Sequence, residues 1–135
     1  MKLSNIKAAS RAIESGDWVP SPSFPGVSYR VRGAGSVAAR NMREQLILAV
    51  PAADRLNGLN KADADRVALE TLVGAIWMDV KGLEGDNGKM IVYSVDKARE
   101  LLSDPDCALL RADVETASLR VGNAQIAQVE TDSKN

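Results

Sequence analysis

The hydrophobic positions follow one spacing early in the chain and another later. Apolar and polar side chains alternate from Val27 to Arg32, which is the two-residue period of a half-buried strand. Three of the five prolines lie within residues 16–35, and proline is confined to loops, strand edges and strand ends. With a partner strand near Trp18, this pattern predicts a proline-rich hairpin over residues 16–35, preceded by an N-terminal segment, 1–15.

Beyond the hairpin, the apolar residues recur with the spacing of helices. Four residues that can cap a helix begin the predicted segments, namely Ser36, Asn60, Ser94 and Asp104. The clearest apolar stripe follows Asn60, with the i, i+3, i+4, i+7 spacing of a helix buried on one face. Its members are Leu69, Leu72, Val73, Ile76, Trp77 and Val80. We predict that this stripe is buried and that its helix ends at Gly82.

These elements predict a mainly α fold of the α+β kind in a single domain, 1–135. It has about four helices, the N-terminal β-hairpin and one short additional strand. That strand is expected at residues 90–93, after the turn at Asn87 and Gly88. The helical body covers residues 36–122, and the polar tail, 123–135, is expected to be frayed.

Cysteine content and hydropathy indicate the cellular environment. A single cysteine, Cys107, excludes an internal disulfide and favours a reducing compartment. The first residues lack the apolar run of a secretory signal. No apolar run approaches the roughly 18 residues that span a bilayer. We therefore expect a cytoplasmic protein with no membrane partner.

The residues that usually carry catalysis are scarce. The chain has no histidine, which removes the commonest general base and the commonest metal ligand. The acidic turn at residues 84–88 lacks the carboxylate spacing of a calcium-binding loop. Gly33, Gly35 and Ala38 match a dinucleotide-binding motif, but they follow a half-polar strand rather than a buried one. We expect no catalytic, metal-binding or cofactor-binding residues, and no enzymatic activity.

Charge divides the chain into a basic and an acidic part. Residues 1–43 carry seven Lys/Arg and two Asp/Glu, a net of +5, whereas residues 44–135 carry a net of −6. Such asymmetry is typical of a partner-facing surface, although two solvated faces of different charge would explain it equally well. The overall pI near 5.5 and the lack of a nucleic-acid motif argue against phosphate binding by the arginines of the first part.

The same basic part contains the best candidates for a protein-binding surface. Two aromatic residues lie in or beside its proline-rich loop, where exposure would favour a partner. The basic strand and the helix after it supply the remaining candidates. The predicted partner-binding residues are Trp18, Phe24, Tyr29, Arg30, Arg32, Arg40 and Arg43.

Three stretches of the chain resemble the tail assembly chaperones of tailed phages and prophages. The first is residues 26–33, followed by a helix that ends in residues 46–51. The second is residues 81–94, with Gly-Leu, an acidic Asn-Gly turn, a short strand and a capping serine. The third is the helix at residues 98–102, with Asp104 and Pro105 after it.

This resemblance implies a bacteriophage protein in the host bacterial cytoplasm that takes part in virion morphogenesis without catalysis. Its expected partners are the tape measure protein, which it would keep soluble, and the tail tube protein. Self-association through oppositely charged patches is a further expectation. A structural tail or head–tail joining protein is the first alternative. A small nucleic-acid-binding regulator is the second.

Overall fold

The computed structural model describes residues 1–127, which fold into five α-helices and a three-stranded antiparallel sheet with the order β1-β2-β3. The predicted α+β class and the N-terminal hairpin are confirmed. The elements are α1 (Leu3–Ser15), β1 (Asp17–Pro20), β2 (Ser28–Val31), α2 (Val37–Leu48), α3 (Lys61–Thr71), β3 (Trp77–Lys81), α4 (Val95–Ser103) and α5 (Ala108–Arg120). Two short 3₁₀ turns, Ala52–Arg55 and Pro105–Cys107, a π-helical turn, Leu72–Ile76, and a short helical segment, 123–127, are also present.

The predicted capping residues act as the sequence indicates. The side chains of Ser36, Asn60 and Ser94 each accept a hydrogen bond from the backbone N–H three residues later. Asp104 caps the 3₁₀ turn that leads into α5, with Pro105 at its first position. These bonds satisfy N–H groups that a helix start leaves without an intrahelical partner.

The prediction of one long helix from Asn60 to Gly82 is wrong for the second half of that range. Helix α3 ends at Thr71, the π-helical turn follows, and the chain then enters β3. Pairing of β3 with β2 shifts register between Arg30 and Val31, so that Arg30 lies opposite Asp79 and Val31 opposite Trp77. The shift leaves one extra residue in β3 at this point. Trp77 and Val80 therefore face the same side of the sheet, although they are three residues apart.

Burial of the apolar stripe is confirmed although its secondary structure differs. Five of its six residues are buried, and Leu69 is half-buried. The inner face of the sheet contributes Tyr29 and Val31, both fully buried, and packs against α5. Helices α2, α3 and α4 and the π-helical turn enclose the other side of the core.

Helix α1 is an element that the sequence analysis did not predict. Its N-cap residue, Lys2, makes no side-chain capping bond, so the usual start signal is missing. The helix docks through its C-terminal half, where Ala9 and Ala12 are buried and the Gly33 N–H donates to the carbonyl oxygen of Ile13 at 2.9 Å.

The prediction of a strand at residues 90–93 is also wrong. Only an isolated bridge between Glu84 and Met90 forms there, with one further bond from the Ile91 N–H to the Leu83 carbonyl oxygen. The short additional strand of the fold is β3 instead. In the predicted frayed tail, residues 123–127 are helical, and the rest lies outside the described residues. Within residues 1–127, no helix is long and apolar enough to span a membrane.

Candidate protein-binding surfaces

The outer face of the sheet carries two of the predicted partner-binding residues. Trp18 on β1 lies opposite Arg30 on β2, which in turn lies opposite Asp79 on β3. Arg30 is exposed, and Trp18 is half-buried. The Nζ atom of Lys81 lies over the Trp18 ring, 3.8 Å from its centre, which is a cation–π contact.

We call Trp18, Arg30, Asp79 and Lys81 the outer sheet face. It combines a half-buried tryptophan with two cations and one carboxylate. Large aromatic residues and arginine are the residue types that contribute most to protein–protein binding. This face is therefore suited to binding a protein that offers both apolar and acidic groups.

Tyr29 does not belong to any exposed surface, and its assignment as a partner-binding residue is wrong. Its position in the strand turns the ring inward, where the relative exposure is 0%. The ring packs edge-on against Trp77, with the two centres 6.1 Å apart. Its hydroxyl donates a hydrogen bond of 2.6 Å to Oδ2 of Asp113 on α5.

The bond from Tyr29 is part of a buried network around Asp113. The Ser21 hydroxyl donates to the same carboxylate oxygen and accepts from the Phe24 N–H at 2.8 Å. Burial by itself would raise the pKa of Asp113, but hydrogen bonds from Ser21, Tyr29 and Ser23 hold that pKa below its usual value. Burial, followed by the bond to Asp113, raises the pKa of Tyr29. Asp113 is thus a charged anchor that ties the proline-rich loop to α5.

The other three predicted arginines directly follow β2 or lie on α2. Nε of Arg32 donates to the carbonyl oxygen of Glu14 at 3.2 Å, which joins β2 to the end of α1. Arg43 on α2 is half-buried and donates to the carbonyl oxygen of Ala34 at 3.4 Å. Arg40 on α2 is exposed. Of these three arginines, two bond to backbone carbonyls of their own chain and the third is exposed.

Phe24 belongs to a different surface, a hollow with a volume of about 560 Å³. We call it the acidic groove. We call the apolar part of its lining the floor, which consists of Phe24, Leu83, Ile91, Leu101, Cys107, Leu109 and Leu110. Leu109 is 76% exposed, so its side chain is open to a partner. Past Phe24 and Leu109 lies a second hollow of about 200 Å³ that is lined by Asp113.

The rim of the acidic groove is strongly negative. By rim we mean the charged part of the lining, which consists of four carboxylates, Glu84, Asp86, Asp104 and Asp106, and one cation, Lys97. Burial raises the pKa of the Cys107 thiol, and the three neighbouring aspartates add to that rise. An apolar floor with a negative rim suits a partner segment that has an apolar stripe flanked by Lys or Arg.

Sequence reasoning missed this groove because its parts come from distant positions in the chain. Glu84 and Asp86 fit a turn, Asp104 fits a helix cap, and Leu109 fits an ordinary helix. The available signal was the net charge of −6 in residues 44–135, which indicates an acidic surface without locating it. Among the described residues, no cluster of three or more histidine, cysteine or acidic side chains could hold a metal ion.

Comparisons with protein-family models, with curated proteins and with solved structures find no match to this chain. Inferences about its function therefore rest on its own residues and on the resemblance of the three stretches described above.

Proposed function

We propose that this protein is a non-catalytic tail assembly chaperone of a bacteriophage or prophage. In the cytoplasm of the host bacterium, it binds the tape measure protein, keeps that client soluble, and helps to recruit tail tube subunits. The resemblance of residues 26–51, 81–94 and 98–105 to this family suggests the identity of the client. The observation that carries the binding role is the outer sheet face.

Two features support the outer sheet face as the client-binding surface. First, Trp18 presents an aromatic surface at low entropic cost, because the cation–π contact with Lys81 already restrains it. Second, Arg30 is exposed on the central strand, whose backbone is held on both sides by β1 and β3. A rigid sheet that carries a tryptophan and an arginine is well prepared to bind a helix from a long, aggregation-prone client.

Co-expression with the tape measure protein encoded in the same tail gene module tests this function. We expect the soluble yield of the client to rise in the presence of the wild-type chain, and a complex of the two to be isolated. Trp18→Ala combined with Arg30→Glu should reduce that soluble yield several-fold, because it removes the aromatic contact and reverses the central charge.

The matched control is Lys61→Glu, an equal charge reversal at an exposed position at the start of α3. It should leave client solubility unchanged. If the client is equally soluble without the chaperone and no complex forms, the proposed function is wrong. If the wild type is active and the double variant is equally active, the client binds elsewhere on the molecule.

A further inference from the structure

Helix α1 presents apolar side chains that no other part of residues 1–127 covers. Met1, Leu3 and Ile6 are 67%, 64% and 46% exposed, although the second half of the same helix is docked. Leu3 and Ile6 are three residues apart and therefore lie on one face of the helix. Beside that face, Lys7 and Arg11 lie one turn apart and are both exposed. The first half of α1 is thus an amphipathic, basic helix whose apolar face stays open within the described part of the chain.

The acidic groove has the complementary chemistry. Its apolar floor matches the Leu3 and Ile6 face, and its four rim carboxylates match the basic side chains beside that face. A helix that inserts apolar residues at i and i+3 into a groove is a common mode of protein recognition. Opposite charges at the rim would set the orientation of the helix and speed its association.

The two surfaces lie at opposite ends of α5. Helix α1 packs at the C-terminal end, where a Cβ atom on Gly122 would lie 3.1 Å from the Ala9 carbonyl oxygen and 3.2 Å from the Ile13 side chain. The groove is at the N-terminal end, around Cys107 and Leu109. A helix of 13 residues separates these ends by about 20 Å. In its docked position, α1 leaves the groove of its own chain empty.

We propose that the first half of α1 from one copy of this chain binds in the acidic groove of the next copy. Leu3 and Ile6 contact the apolar floor, and Lys7 and Arg11 pair with the rim carboxylates. Because the two surfaces differ, the contact is heterologous, and each added copy presents a fresh groove at one end and a fresh α1 at the other. The protein therefore assembles head to tail.

A charge-exchange experiment on the full chain tests this contact. The first variant combines Lys7→Glu with Arg11→Glu, and the second combines Glu84→Lys with Asp106→Lys. In sedimentation velocity, we expect the average mass of the wild type to grow with protein concentration. Each variant alone should remain a monomer, because its α1 and its groove then carry the same sign of charge.

An equimolar mixture of the two variants should recover the growth in mass, because each α1 then meets a groove of opposite charge. The control, Lys61→Glu combined with Arg66→Glu on α3, should assemble like the wild type. Circular dichroism melting checks that every variant is folded. A wild type that stays monomeric, a dimer of fixed mass, variants that assemble alone, or a mixture that stays monomeric would each overturn the proposal.

Disulfide trapping provides a second measurement, because Cys107 is the only cysteine and lies in the groove. With copper phenanthroline and air as oxidant, Ile6→Cys should give a ladder of linked chains on non-reducing gels. The wild type has one thiol and can link at most two chains. Leu48→Cys, at an exposed site on α2, should give no comparable ladder. Equal ladders from both cysteine variants would contradict the contact.

Discussion

A single carboxylate holds the proline-rich loop, the sheet and α5 together. Asp113 accepts hydrogen bonds from Ser21 in the loop and from Tyr29 in the central strand, and only 3% of its surface is exposed. Without that carboxylate, two hydroxyl groups would lose their partner inside the protein. The composition of the chain gives no sign of this role, because Asp113 is one of eighteen acidic residues.

Replacement of Asp113 by Asn should lower the free energy of unfolding at pH 7 by about 1–3 kcal/mol, because bonds to a charged acceptor are lost. Since the folded-state pKa lies below the unfolded value of about 3.9, the stabilisation by the carboxylate is present above about pH 4. It is lost as the pH falls through the lower, folded-state pKa. The difference between wild type and variant should therefore shrink from about pH 4 towards pH 2.

Urea unfolding of both proteins between pH 7 and pH 2 measures this difference. Glu115→Gln, at an exposed carboxylate on the same helix, is the control and should change stability little at any pH. A difference between wild type and Asp113→Asn that stays constant over the whole range would show that the charge of Asp113 does not contribute.

At the level of elements, the most informative feature is the passage from α3 through the π-helical turn into β3. The turn bonds the Trp77 N–H to the carbonyl oxygen of Leu72, and Trp77 then takes an extended conformation. The Trp77 carbonyl accepts a bond of 2.5 Å from the Tyr93 hydroxyl, and the indole N–H donates to the Asp79 carbonyl at 2.8 Å. These contacts stabilise a strand where the local spacing favours a helix.

Gly82→Ala tests whether β3 ends as the structure shows. Gly82 has φ +79°, and a Cβ atom there would overlap the backbone carbonyl of Gly26. Gly88 has φ +77° with open space around it, so Gly88→Ala is a matched control for backbone conformation alone. We expect Gly88→Ala to cost about 1–2 kcal/mol and Gly82→Ala clearly more, because a backbone group cannot rotate away. Thermal or urea unfolding compares them, and equal costs would contradict this packing.

For the molecule as a whole, charge is distributed in a way that suits protein partners. The exposed basic helix α1 and the acidic groove lie at opposite ends of α5, whereas the outer sheet face mixes both signs of charge. Of the arginines considered for phosphate contact, Arg32 and Arg43 bond to backbone carbonyls of their own chain. These two cations are therefore partly engaged within the protein, whereas a nucleic-acid backbone requires many unopposed cations.

We accordingly expect the wild-type chain to show no tight binding to duplex DNA at physiological salt. Fluorescence anisotropy with a labelled duplex measures this, and a salt titration serves as the control. Arg30→Ala combined with Arg40→Ala should leave the signal unchanged, because there is no affinity to lose. Submicromolar binding that weakens steeply as salt rises would contradict this expectation.

The sequence by itself determined the fold class, the hairpin, the positions of the caps and the buried stripe. Each of these follows from local spacing or from a residue's own hydrogen-bonding groups, which neighbours in sequence suffice to reveal. Only the tertiary structure decided that residues 77–81 form a strand, because pairing with β2 and the register shift override the local helical spacing. Local spacing alone could not distinguish a strand from a helix at these residues.

The tertiary structure alone also decided where the surfaces lie. Tyr29 alternates with Arg30 in sequence, and only the packing of α5 against one face of the sheet shows which of them is buried. Phe24 and Leu109 are 85 positions apart and meet in one groove because the Asp113 network ties the loop to α5. Charge totals predicted an acidic and a basic surface, but a surface forms only where the folded backbone brings distant side chains together.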